Sequence, residues 1–190
     1  MQVDFYQLSD GPAEQVIASI ADKIVAQDGR LLIVASDEGA LARLDRQLWD
    51  HGAASFLPHG VAGGTDDARQ PILLSTHPDA PNLARNALIA DGEWREAVLA
   101  YDRAFYLFDG NTLEGARLAW KLLSGREGIE RRYWANEGGK WVKKAWALPI
   151  GARAARRSPN FQSHQTQETA WPWPSRAPFR SSSPMPLAAT

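Results

Sequence analysis

Leu31-Leu32-Ile33-Val34-Ala35 is a run of five apolar residues set between Gly29 and Ser36-Asp37. It shows no alternation. A strand with one wet face alternates apolar and polar side chains, whereas a strand covered on both faces reads as a continuous apolar run, as in parallel sheets flanked by helices. Upstream, residues 3–8 read as a strand. Pro12 suits the first turn of a helix running to about residue 27, with Val16, Ile17, Ile20 and Ile24 on one side. Downstream, Ser36 or Asp37 caps a second helix whose inward stripe is Leu41, Leu44 and Leu48.

After His51 the chain is rich in Gly, Pro and Asp as far as Gln70-Pro71 and reads as a loop. Short strands follow at residues 72–75, 86–90 and 104–108. Asp109-Gly110-Asn111-Thr112 forms a turn and cap for a helix from Leu113 to about Ser124, which Gly125 stops. Residues 129–136 and 140–145 form a β-hairpin joined at Glu137-Gly138-Gly139. Strands and helices in this order predict an α/β fold: a three-layer, Rossmann-like domain with a mostly parallel sheet and a C-terminal β-hairpin. That domain is expected over residues 1–146. Residues 147–190 are rich in Pro, Ser, Ala and Arg without a sustained period, and are expected to be a disordered tail.

The 190 residues are 44% hydrophobic and 23% charged, with net charge −1. The charge is unevenly spread. Residues 1–146 hold 16 Lys+Arg against 21 Asp+Glu (−5), and residues 147–190 hold 5 against 1 (+4). An acidic body disfavours general binding to nucleic acid, which needs a basic face that releases counterions. No apolar run is long enough to span a bilayer, and no basic leader precedes one. There are no cysteines, which excludes disulfide and thiolate chemistry and fits a cytoplasmic protein.

A Rossmann-like pattern invites a nucleotide-binding enzyme, yet the equipment for one is absent. The turn after the first strand is Ser9-Asp10-Gly11-Pro12, and neither G-x-G-x-x-G nor a P-loop occurs. Gly60-Val61-Ala62-Gly63-Gly64 leads into acidic residues rather than a Lys and reads as a flexible loop. His51 and His59, eight apart with Asp66 and Asp67 nearby, lack metal-ligand spacing. Ser36 and Ser55 have no nucleophile-elbow setting. Asp37-Glu38 reads as a helix cap, Asp66-Asp67 as a solvated loop, and His77-Pro78 as a turn. The expectation is a chain with no catalytic site, metal or cofactor; a small nucleotide-binding enzyme is the alternative.

Three constellations remain. Arg117, Trp120 and Lys121 share one side of the predicted third helix, since residues three and four apart are neighbours. An Arg fork, a Lys charge and an indole wall together suit a peptide that ends in an aromatic residue with a free carboxylate. The other reading is a solvated amphipathic helix with Trp120 packed inward. Trp49, with Ser55-Phe56-Leu57-Pro58-His59 just beyond it, is either core or an exposed anchor for a partner protein. The hairpin interleaves Arg131, Arg132, Lys140, Lys143 and Lys144 with Tyr133, Trp134 and Trp141. That pattern suits single strands of nucleic acid, but the reading favoured here is an edge hairpin with aromatics inward and cations outward.

Phe5-Tyr6-x-Leu8, Leu32-Ile33-Val34-Ala35, Leu44-Asp45-x-x-Leu48-Trp49, Ser55-Phe56-Leu57-Pro58-His59, Phe108-Asp109, Arg117-x-x-Trp120-Lys121 and Tyr133-Trp134 together resemble the chi subunit family of bacterial DNA polymerase III holoenzyme, over roughly residues 1–145. The resemblance implies a non-catalytic clamp-loader accessory on a Rossmann-like fold that binds no nucleotide. It implies that Arg117, Trp120 and Lys121 capture the C-terminal peptide of the single-stranded-DNA-binding protein. Ser124 stands where a further cation is expected, which implies a pocket that is either weaker or completed by Arg126. It also implies that Trp49, Phe56, Leu57, Pro58 and His59 meet the psi subunit or, competitively, a repair helicase, with DNA reached only indirectly.

Overall fold

The computed structural model describes residues 1–8, 13–51 and 56–146. The predicted disordered tail at 147–190, the turn at 9–12 with Pro12, and Ser55 lie outside the described residues. Eight strands and three α-helices are seen among the described residues: β1 Gln2–Gln7, α1 Ala13–Val25, β2 Leu31–Val34, α2 Glu38–Trp49, β3 His59–Val61, β4 Ile72–Ser75, β5 Asn86–Ile89, β6 Arg103–Phe108, α3 Leu113–Leu122, β7 Glu130–Glu137 and β8 Lys140–Lys144. They form one sheet in the order β3-β4-β2-β5-β6-β1-β7-β8. Every pairing is parallel except that of β8 with β7.

The apolar run of β2 has the cause its sequence implies. Leu31 and Ile33 enter one core with the inward stripes of α1 (Ile17, Ile20, Ile24) and α2 (Leu41, Leu44, Leu48). Leu32 and Val34 enter a second core on the opposite face, with Ala116 and Ala119 of α3. Three layers result, with α1 and α2 on one face and α3 on the other. Asp37 is the cap of α2, accepting from the N–H groups of Gly39 (3.0 Å) and Ala40 (2.9 Å). In the β7–β8 turn, Gly138 and Gly139 have φ of +59° and +85°. Two consecutive residues in that region match the twist of a tight hairpin, and glycine reaches it without a Cβ clash.

The predicted loop between His51 and Gln70 departs from expectation. It contains β3, paired in parallel with β4, and a 3-10 turn at Asp67–Arg69. Three residues with a central Gly60 carry too little strand propensity to stand out. Nor is the glycine run merely flexible: the Asp67 carboxylate accepts from Gly63 N–H (2.8 Å) and Gly64 N–H (3.0 Å). Asp67 is therefore the anchor of that turn rather than a purely solvated carboxylate. A further 3-10 turn spans Glu96–Ala100.

Asp4 is the one fully buried carboxylate of the described core. It lies on β1 among Arg103 of β6 and Trp134 of β7. Oδ2 accepts from Arg103 Nε (2.7 Å) and Gln2 Nε2 (2.6 Å), and Arg103 Nη2 lies 2.6 Å away. Oδ1 accepts from Trp134 Nε1 (3.0 Å). Arg103 also lies over the Phe105 ring, 4.5 Å from its centroid. Both charges of this pair are thus satisfied inside the sheet. No helix of the described residues is long and apolar enough to cross a membrane.

Candidate functional site

In doubly wound sheets ligands bind at the carboxyl ends of the strands, and carboxylates already occupied by the protein crowd that edge here. Asp91, just past β5, binds Arg95 through both oxygens (2.8 and 2.6 Å) and accepts from the Ser36 N–H (2.7 Å). Burial works against its charge, but Arg95 and the N–H groups of Glu93 and Ser36 outweigh it and hold the carboxyl below its usual range. Asp109 caps the turn before α3. Burial again opposes its charge, and hydrogen bonds from Thr112 and Asn111 lower its pKa regardless. These carboxylates take N–H groups in the turns after β2, β5 and β6. No cluster of three metal-ligating side chains is present among the described residues.

The first surface is the corner at the end of α2. Trp49 and Phe56 are 57% and 72% exposed, with ring centroids 5.9 Å apart. Leu57 and His59 are not on that surface: both are buried, and Pro58 is half-buried. The fold explains why. His59 opens β3, where its Nδ1 lies 2.6 Å from the Leu57 carbonyl and its Nε2 3.2 Å from the Asp45 carbonyl and 3.3 Å from the Asp45 carboxylate. Its ring lies 4.9 Å from the Trp49 ring. His59 and Leu57 therefore form the floor that holds two aromatic rings outward, so the accessible part of the predicted interface is Trp49, Phe56 and the rim of Pro58.

The second surface lies on α3. Ala116, Ala119 and, just after the helix, Leu123 face the sheet, which leaves Arg117, Trp120 and Lys121 together on one flank. Trp120 is half-buried and meets Phe5 edge-on at 5.0 Å. Lys121 is exposed. Arg117 is paired with Glu114, one turn earlier, at 2.5 Å. That exposed pair is weak, so a carboxylate from outside can compete for the guanidinium. Arg126 does not simply point into this flank: it pairs with Glu96 of the preceding 3-10 turn.

A residue that sequence reasoning assigned elsewhere belongs here. Arg131 of β7 sits 4.5 Å above the Trp120 ring and donates to the Trp120 carbonyl (2.7 Å). Strand register was the available signal. Val3 pairs with Arg131 and Phe5 with Tyr133, which puts both β7 side chains on the Phe5 face, under α3. Tyr133 donates its hydroxyl to Gln7 Oε1, and burial raises its pKa. The other hairpin aromatics, Trp134 and Trp141, are buried in the opposite core. The indoles turn inward as the favoured reading expected, but of the cations Arg131 lies against Trp120 rather than facing outward.

The fold defines an α/β domain with one mostly parallel sheet covered by helices on both faces. The model of the DNA polymerase III chi subunit (HolC) family matches residues 1–129, and the chain belongs to that family. It is 32% identical over 77 residues to DNA polymerase III subunit chi of Escherichia coli, covering 40% of this chain and 52% of that one. It is 32% identical over 91 residues to the subunit chi of Pseudomonas aeruginosa, covering 46% and 62%. The chain thus spans between half and two thirds of the length of these relatives. Among solved structures, the C-terminal domain of the DEAD-box protein Dbp5 is 14% identical, covers 70% of this chain and 89% of that one, and superposes with a TM-score of 0.49. A likeness of that size carries nothing further.

Proposed function

We propose that this protein is a non-catalytic replication adaptor of DNA polymerase III, joining the clamp loader through psi to the C-terminal peptide of the single-stranded-DNA-binding protein. The observation that carries the reading is the placement of two chemically different surfaces on opposite faces and at opposite ends of one sheet. The Trp49–Phe56 corner borders edge strand β3, on the α1–α2 face. The Arg117–Trp120–Lys121 flank covers β1 and β7, on the other. Six strand steps lie between β3 and β7, which at about 4.8 Å each is roughly 29 Å. Two partners can sit on such a spacer together without collision.

The chemistry divides in the same way. The corner offers two exposed rings for a protein anchor. The α3 flank offers an indole wall between cations, suited to a terminal aromatic side chain with its carboxylate. Calorimetry with an acidic peptide ending in Pro-Phe tests this. Arg117→Ala and Lys121→Ala should each weaken binding by more than tenfold, about 1.4 kcal/mol. Equal affinities for the wild type and both variants would remove the pocket from the proposal.

A further inference from the structure

Trp120 is already covered. Two residues beyond the end of β8, Trp146 lays its indole on that of Trp120, with ring centroids 5.1 Å apart and planes within 15°. The same side chain meets Tyr133 at 4.6 Å, Phe108 at 5.6 Å and Phe5 at 5.8 Å. It thereby fills an aromatic hollow between α3 and the sheet. Among the described residues its contacts are those of the ring. Strand pairing ends at Tyr133–Lys144, and among the described residues no hydrogen bond fastens Ala145 or Trp146. Trp146 also lies outside residues 1–129, the part matched by the family.

We propose that Trp146 is an occupant, supplied by the chain itself, of the aromatic site on Trp120, and that its ring must leave Trp120 before a ligand's terminal ring can enter. This proposal rests on the α3 pocket reading given above. A planar apolar ring against Trp120, Tyr133, Phe108 and Phe5 is the chemistry that an incoming aromatic residue would need. Both rings cannot take the same face of Trp120. The ligand therefore meets a site that is open only part of the time, and its apparent affinity falls by the open fraction. Arg117 and Lys121, on the flank beyond the stack, stay available to the ligand's carboxylate while the site is closed.

The test titrates the acidic peptide ending in Pro-Phe into the full chain as wild type, Trp146→Ala and Arg117→Ala. The expected result is binding about tenfold tighter for Trp146→Ala and weaker for Arg117→Ala. Affinity for Trp146→Ala that is unchanged or reduced, with Arg117→Ala still weakened, overturns the self-occupancy proposal and makes Trp146 a fixed wall of the pocket. No binding by any of the three, or equal binding by wild type and Arg117→Ala, overturns the pocket reading and this proposal with it. A thermal melt checks that Trp146→Ala is folded. If it is not, Trp146→Leu, which keeps apolar volume against Phe108 and Tyr133 but cannot stack, should bind more tightly than wild type; equal or weaker binding overturns the proposal.

Discussion

Removing the carboxylate of Asp4 should be among the most damaging single changes in this protein. In Asp4→Ala the guanidinium of Arg103, only 16% exposed, loses its counter-charge, and the Trp134 indole N–H loses its acceptor. Breaking a buried ion pair from one side costs about 3–5 kcal/mol, and an orphaned N–H adds about 1–3 kcal/mol. Some water reaches Arg103, so the lower end applies, about 4 kcal/mol in all. At roughly 3 °C per kcal/mol for a domain of this size, the melting temperature should fall by about 12 °C. Because the penalty comes from the stranded charge, removing the partner as well should recover most of it: Asp4→Leu with Arg103→Met should lie within about 1.5 kcal/mol of wild type. Urea unfolding of the wild type, Asp4→Leu, Arg103→Met and the double variant measures the coupling, expected at about 3 kcal/mol. Additive single effects, or an Asp4→Ala loss under 1 kcal/mol, would refute the reasoning that this pair is desolvated and mutually dependent.

Two further outcomes are expected. Trp49→Ala and Phe56→Ala, at exposed positions, should change stability by no more than about 0.5 kcal/mol while abolishing co-elution with a psi subunit, the partner proposed for this corner; a loss of stability above 2 kcal/mol would show the corner to be core instead. Lys23 on α1 has its pKa lowered from 10.5 to about 8 by burial, against the opposing pull of Asp22. Between these values the unfolded chain binds more protons than the folded one, so this residue makes stability rise with pH from about 8 towards 10.5. Lys23→Met should remove that rise, which urea midpoints at pH 7 and 9.5 read as a difference between the two proteins, and an identical pH dependence in both would contradict it.

Much of this fold was legible in the chain because local chemistry agrees with the final packing. The unbroken Leu31–Val34 run was readable because both its faces are covered. The Gly138-Gly139 turn was readable because its backbone angles suit little else, and the α2 cap because Asp37 reaches its own first turn. What was not legible depends on neighbours distant in sequence. β3 is a strand only because β4 lies beside it. Leu57 and His59 could not be separated from Phe56 without knowing that His59 turns back to Asp45. Arg131 joined the α3 site through the β1–β7 register, and Trp146 through the path of the chain after β8. Asp4 read as an unremarkable polar residue in a strand, since nothing local signals a partner 99 positions away in Arg103.

The position of β1 has a consequence for the order in which the molecule can be made. β1 precedes every other described strand, yet its neighbours in the sheet are β6 and β7, about a hundred or more residues later, and it pairs with neither β2 nor β4. Non-local pairing of this kind is slow, because a long loop must close before any contact rewards it. The Trp49–Phe56 corner draws on Asp45, Leu57 and His59 and on β4 beside β3, all of which leave the ribosome before β6. The α3 flank needs Phe5 from β1 and Arg131 from β7. One surface can therefore mature during translation, while the other is completed only after release of nearly the whole domain.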